Sequence, residues 1–135
     1  MKVVIDSNIF VMCMNPISDY HTVFKKLLAG NYTLYITTEI LFEYTEVFQR
    51  KFSSIKAELL NQFLYESPYV KDVEVYFKWN LVTTDADDNK YIDCYIASNA
   101  DYLVTNDRHF DALEQVAFPK VNCIKIDEFI KIIGD

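Results

Sequence analysis

Glycine is nearly missing from this 135-residue chain: Gly30 and Gly134 are the only two. A phosphate-cradling loop of the P-loop or dinucleotide-binding kind needs clustered glycines, so both are excluded. No Gly-x-Ser-x-Gly turn is present to carry a serine nucleophile. Cys13, Cys94 and Cys123 are odd in number and far apart, which suits neither a disulfide framework nor a zinc ribbon. Cys13 and Cys123 have apolar neighbours and read as core. His21 and His109 have no metal-ligand spacing. No apolar run approaches the roughly 18 residues of a membrane span. Asp6 cuts the apolar start too early for a secretory signal, so a cytoplasmic protein is expected. Basic residues are outnumbered, 13 against 20 acidic ones, leaving a net charge of -7. That argues against holding nucleic acid on a simple basic face and leaves open binding through cations held by carboxylates.

What is present is apolar and aromatic. Hydrophobic residues make up 51% of the chain and aromatics 16%, too much for wholesale disorder. The length suits one domain, residues 1–135. Lys2–Ile5 is a β-branched apolar run that reads as a buried strand. An apolar stretch then continues to Met14 and breaks at Asn15-Pro16. Asp19 is placed to cap a helix reaching Ala29, closed by Gly30-Asn31. Tyr32 to Ile36 reads as a second strand. Thr37 or Thr38 caps a helix carrying Ile40, Leu41, Tyr44, Val47 and Phe48 at helical spacing. Another helix runs from Ser53 or Ser54 to about Tyr65. Val73 to Phe77 alternates weakly, as a strand or an extended connection. A polar loop from Asn80 leads to a helix over about Asp88 to Asn99. Tyr102–Val104 is a strand, Arg108 to Gln115 a helix, Val121 to Ile126 the last strand, and Asp127 caps a closing helix.

Strands alternating with helices imply right-handed crossovers and a mainly parallel sheet covered on both faces. Ligands of such sheets gather beyond the carboxyl ends of the strands. Asp6 directly follows the first strand, and Asp107 follows Tyr102–Val104 by two residues. If those strands are neighbours, the two acids meet at one edge. Asp88 and Asp93 belong to the helix between; five residues is about 500° of rotation, so they face partly different directions. Glu43 lies among Leu41, Phe42 and Tyr44, where a carboxylate is costly unless it is paired or bound to metal. Taken alone, Asp6 and Asp107 read equally well as caps, Asp88 better as a helix cap than as a ligand, and Asp93 as a surface residue; Glu43 fits such a reading least. Together they form a set whose mutual repulsion a cation would relieve. All-oxygen ligation suits Mg²⁺ or Mn²⁺, and such an ion supports phosphodiester hydrolysis.

These pieces, Val3-Val-Ile-Asp-Ser-Asn-Ile9, Glu39-Ile-Leu-Phe-Glu-Tyr-Thr-Glu-Val-Phe48, Asp87-Asp-Asn-Lys-Tyr-Ile-Asp93 and Ala100-Asp-Tyr-Leu-Val-Thr-Asn-Asp107, together resemble the PIN-domain family of metal-dependent ribonucleases, named after the PilT N-terminus. The likeness spans essentially the whole chain and is nearest to the VapC-like branch of toxin components of toxin–antitoxin systems. It implies a three-layer α/β/α sandwich that hydrolyses RNA with Mg²⁺ or Mn²⁺. Carried over by residue, it makes Asp6, Glu43 and Asp107 acids of the site. Asp88 ranks above Asp93 as the third acid, and both are kept. The metal ligands it implies are Asp6, Asp88 and Asp107. Asn8 would hold Asp6 in place and Thr105 would support Asp107; Lys90 and Arg108 are candidates for phosphate contact. The branch implies a cognate antitoxin, and the apolar helix faces at Phe24–Leu28 and Leu59–Tyr65 suit such a partner, a homodimer or the core. Two other readings compete: a non-catalytic interaction module on the same fold, and a structure-specific DNA nuclease.

Overall fold

The computed structural model of the chain describes residues 1–83 and 85–134; of the polar loop after Asn80, Thr84 lies outside the described residues. Five strands form one parallel sheet, in the order β3-β2-β1-β4-β5. They are β1 Lys2–Ile5, β2 Thr33–Ile36, β3 Val70–Asp72, β4 Tyr102–Val104 and β5 Cys123–Ile124. The helices are α1 Ser7–Met14, α2 His21–Leu28, α3 Thr38–Lys51, α4 Ser54–Glu66, α5 Asn89–Ser98 and α6 Ile126–Ile133. Val3, Val4 and Ile5 are all fully buried. Successive side chains of a strand point to opposite faces, so helices cover the central sheet on both sides, as the expected three-layer sandwich requires. The chain builds outward from β1 to β2 and β3, then returns to place β4 on the other flank of β1. The gap between β1 and β4 is therefore the switch point at which parallel sheets bind ligands.

Caps set most element starts. Thr37 accepts the Ile40 N–H and Ser53 accepts the Lys56 N–H, opening α3 and α4. The helix expected from Asp19 begins later, at His21, because Ser18 and Asn15 accept backbone N–H groups and hold the approach in turns. Val73 to Phe77 is an extended connection outside the sheet: the Val73 N–H bonds the Ile36 carbonyl, where β2 ends and the ladder runs out. The last strand is shorter than Val121 to Ile126, since β4 offers only Leu103 and Val104 as partners for Cys123 and Ile124. Arg108–Gln115 is 3₁₀ rather than α-helical. Asp127 does not cap α6; that helix starts at Ile126, whose N–H is taken by the Asn106 side chain across the sheet edge.

The core runs from the sheet into α1, α3 and α5. Phe10 and Tyr44 stack at 4.4 Å, a contact worth about 1 kcal/mol beyond the area it buries. The Tyr44 hydroxyl donates to the Ile5 carbonyl, which ties α3 to the end of β1. Cys13 and Cys94 are buried and Cys123 is half-buried. Burial pushes all three thiols up to about 12, so they stay protonated. Phe24 of α2 meets Phe63 of α4 edge to face, while Leu28, Leu59 and Tyr65 are exposed, so the two apolar helix faces are only partly core.

Candidate active site

The β1–β4 register builds the site's centre. Ile5 pairs with Val104, so the next residues, Asp6 and Thr105, stand side by side as both strands end. The Asp6 N–H donates to the Val104 carbonyl at 3.0 Å. The Thr105 hydroxyl donates to Asp6 Oδ2 at 2.9 Å and accepts the Asp107 N–H at 3.0 Å. One hydroxyl thus fixes the two acids relative to each other. Asp6 Oδ1 accepts the Asn8 N–H at 3.3 Å, so Asn8 holds Asp6 through its backbone. Asp6 is also the N-cap of α1, which makes cap and site residue one and the same. It is only 8% exposed. Burial raises its pKa above the usual carboxylate value, and the Asp107 charge adds to the rise against the Thr105 and Asn8 hydrogen bonds.

Asp88 arrives from a 3₁₀ turn, Ala86–Asp88, that leads into α5. Asn89, buried behind it, clamps the incoming loop by exchanging two hydrogen bonds, at 2.9 and 2.8 Å, with the backbone of Val82. His109 Nδ1 lies 3.0 Å from Asp88 Oδ2 and 3.2 Å from Asp107 Oδ1, so it bridges the acids of two elements. Ligand atoms of Asp85, Asp88 and His109 lie within 4.8 Å of one another, a spacing compatible with one shared ion. Desolvation raises the Asp88 pKa, and Asp85, Asp107 and Asp6 raise it further. The Asp88 hydrogen bond raises that of His109.

Glu43 enters from α3, one residue before the anchored Tyr44. Its Oε2 accepts the Tyr91 hydroxyl of α5, whose oxygen accepts the Ser7 N–H at 3.2 Å. Ser7 follows Asp6, so this relay joins Glu43 to the strand end. Lys90 Nζ stands 3.3 Å from Glu43 Oε2 and 2.9 Å from Asp87 Oδ2. Desolvation raises the Glu43 pKa although Lys90 opposes it. Lys90's hydrogen bond lowers that of Asp87. Burial alone would lower the Lys90 pKa, but Asp87 and Glu43 outweigh it and hold it raised.

The family model of the PIN domain matches residues 2–109. The chain belongs to the PIN domain family. Its fold is similar to that of a chain of VapBC2 from Rickettsia felis, solved bound to a DNA fragment from their promoter. The TM-score is 0.64 at 20% identity, over 93% of this chain and 98% of that one. At that identity the likeness is one of fold. No curated protein sequence matches the chain. The PIN match contains every acid of this site and stops at His109, leaving β5 and α6 beyond it.

Within this PIN domain the residues singled out from sequence separate. Among the described residues the set at metal-ligand spacing is Asp85, Asp88 and His109, without Asp6 or Asp107. Asp6 is linked to Asp107 by Thr105, Asp107 to Asp88 by His109, and Glu43 to Ser7 beside Asp6 by Tyr91, so all four are joined in one network. Asp93 is not: its carboxylate accepts the Trp79 N–H at 3.0 Å, and the charges it senses are Lys78 and Glu39. Five residues beyond Asp88, it faces about 140° away on the helix. There it lines a cleft of about 460 Å³ with Thr37, Glu39 and Asp72, past the ends of β2 and β3. Lys90, expected to reach phosphate, is instead committed to two carboxylates. Arg108 is exposed beside Asp107. Asp85, Tyr91 and His109 escaped the sequence reading. The signals were present only as neighbours of chosen acids: Asp85 three residues before Asp88, Tyr91 within the Asp-Asp-Asn-Lys-Tyr run, His109 two residues after Asp107.

Proposed function

We propose that this PIN domain is a metal-dependent endoribonuclease that acts as the toxin of a toxin–antitoxin pair. The observation that carries the reading is the Thr105 hydroxyl joining Asp6 to Asp107 at the switch point, with His109 bridging Asp107 to Asp88. Asp6, Asp88 and Asp107 would hold a divalent ion, with Asp85 and His109 beside them. The donors fit: they are mainly carboxylate oxygens, which suit Mg²⁺ or Mn²⁺. The pKa values of Asp6 and Asp88 are raised chiefly by desolvation, with neighbouring carboxylates adding to the rise, and a bound cation would offset both. When bound, such an ion lowers the pKa of a water and offsets charge at the scissile phosphate.

The chain's own groups supply the rest. Glu43, steadied by Tyr91 and Lys90, is the carboxylate placed to orient the attacking water and take its proton. Arg108 reaches phosphate from outside the acids. Thr105 and the Asn8 N–H keep Asp6 at a fixed angle. The same reading has the chain act in the cytoplasm as a homodimer with a cognate antitoxin. Exposed apolar residues Ile55 and Leu59, one turn apart on α4, support a protein partner, as does the fold shared with a VapBC2 chain.

The test is cleavage of labelled RNA and DNA by the purified chain with Mn²⁺ or Mg²⁺. RNA alone is expected to be cut, EDTA to stop it, and Asp6→Asn or Asp107→Asn to reduce the rate by about 100-fold or more with an unchanged circular dichroism spectrum. Cleavage of DNA alone points to the DNA nuclease. Full activity of both variants in EDTA ends the metal-dependent reading.

A further inference from the structure

The acids beyond the strand ends differ in what faces them. Among the described residues, no lysine or arginine lies within ion-pair distance of Asp6, Asp85, Asp88 or Asp107; the imidazole of His109 meets Asp88 and Asp107. Glu43 already has a cation. Lys90 Nζ sits 3.3 Å from its Oε2 and extends to Asp87 at 2.9 Å, from a side chain only 10% exposed. The ammonium lies 5.5 Å from the centre of the Tyr91 ring, and the Tyr91 hydroxyl donates to the same Glu43 oxygen. Glu43 Oε2 is therefore engaged by two donors from successive residues of α5. A second divalent ion on Glu43 would have to displace Lys90 or sit beside its positive charge in a partly desolvated corner, where repulsion is poorly screened.

We infer that Lys90 is a positioning residue that stands in for a second metal: it holds Glu43 beside the reacting water and out of the coordination sphere, so the site takes a single divalent ion at Asp6, Asp88 and Asp107. The inference rests on the metal-dependent reading above and adds the number of ions and the role of Lys90. It also explains why Lys90 is unsuited to phosphate. Both its charge and its reach are taken up by the carboxylates of Glu43 and Asp87.

The experiment titrates the metal-free chain with Mn²⁺, following free Mn²⁺ by electron paramagnetic resonance without RNA. Wild-type protein is expected to bind one ion per chain. Glu43→Gln keeps that one ion while cleavage falls. Lys90→Met opens the Glu43–Asp87 pair to a second ion, and Lys90→Arg restores a stoichiometry of one. Lys90→Gln is read in the same way as Lys90→Met if the methionine variant does not fold. In RNA cleavage, Lys90→Met lowers kcat by about tenfold or more with KM little changed, since it disturbs an oriented carboxylate rather than a substrate contact. Two ions on the wild-type chain, or loss of the single ion in Glu43→Gln, overturns the inference and leaves the nuclease reading intact. An unchanged single ion in Lys90→Met with unaltered kcat overturns it as well. No bound Mn²⁺ on the wild-type chain overturns both.

Discussion

The Thr105 hydroxyl has two obligations, and losing it strands both partners. In Thr105→Val, Asp6 Oδ2 loses its donor and the Asp107 N–H loses its acceptor, with shape nearly conserved. An unsatisfied buried polar group costs about 1–3 kcal/mol, and loss of a residue that orients ligands costs about 10–100-fold in metal affinity or activity. Thr105→Val should therefore show a lower urea midpoint and weaker Mn²⁺ binding, while Thr105→Ser stays near wild type in both. Equal behaviour of the two variants would mean that the hydroxyl matters little. At this scale Asp6 and Asp107 were legible because an acid at or just past the end of a buried parallel strand has few places to go. Glu43 was legible from its apolar company. Asp93 was not separable from Asp88, since a five-residue offset constrains direction but not what the loop at Trp79 brings to meet it. The pairing of Lys90 was hidden for the same reason: its partner Glu43 comes from another helix 47 positions away.

Of two contacts between elements, one closes a loop of the site and the other holds the far flank of the sheet. Asn89 closes the segment carrying Asp85 and Asp88 by gripping Val82 with both ends of its amide. Asn89→Ala frees a buried backbone N–H and carbonyl, so a loss of about 2 kcal/mol is expected, with faster hydrogen exchange at Val82 and across residues 85–88. Asn89→Asp keeps the acceptor but not the donor and should fall between. On the opposite flank, Gly30 ends α2 at φ +77°, and an added Cβ would meet the Tyr69 ring at 2.6 Å. Gly30→Ala combines a left-handed backbone penalty of about 1 kcal/mol with a displaced ring. Its denaturation midpoint should drop clearly while RNA cleavage by the folded fraction is retained. Most element identities were legible in the sequence because caps and apolar periods are local: Thr37 and Ser53 act where they were expected, while β3 at Val70–Asp72 was not read as a strand. Element lengths were not, because β3 and β5 end where their neighbours run out of residues rather than where their own sequence changes.

For the whole molecule, the concentration of acid at one edge of the sheet ties stability to pH and metal. Asp6, Asp88 and Glu43 have pKa values raised above 3.8 for aspartate and 4.5 for glutamate, chiefly by desolvation. A carboxyl group whose folded pKa exceeds its unfolded one binds its proton more tightly in the native state. Its stabilising contribution is complete below the unfolded value and is lost as pH rises through the folded one. His109, raised above 6.5 chiefly by its Asp88 hydrogen bond, loses its contribution in the same direction at higher pH. Asp87, lowered by Lys90, acts the opposite way, below 3.8. The metal-free chain should therefore grow less stable as pH rises above about 4 and these three raised acids ionise. A divalent ion requires the same carboxylates deprotonated, so its effect must grow as theirs declines. At free Mn²⁺ near 100 times the dissociation constant the gain is about 2.7 kcal/mol. For a chain of this length that is roughly 5–10 °C in melting temperature. The expected result is a Mn²⁺-induced rise of that order at pH 7 that shrinks toward zero at pH 4, and that is absent at both pH values in Asp6→Asn. A rise of the same size at pH 4 and pH 7 would show that the ion binds elsewhere, because no site built from these acids can be indifferent to their protons.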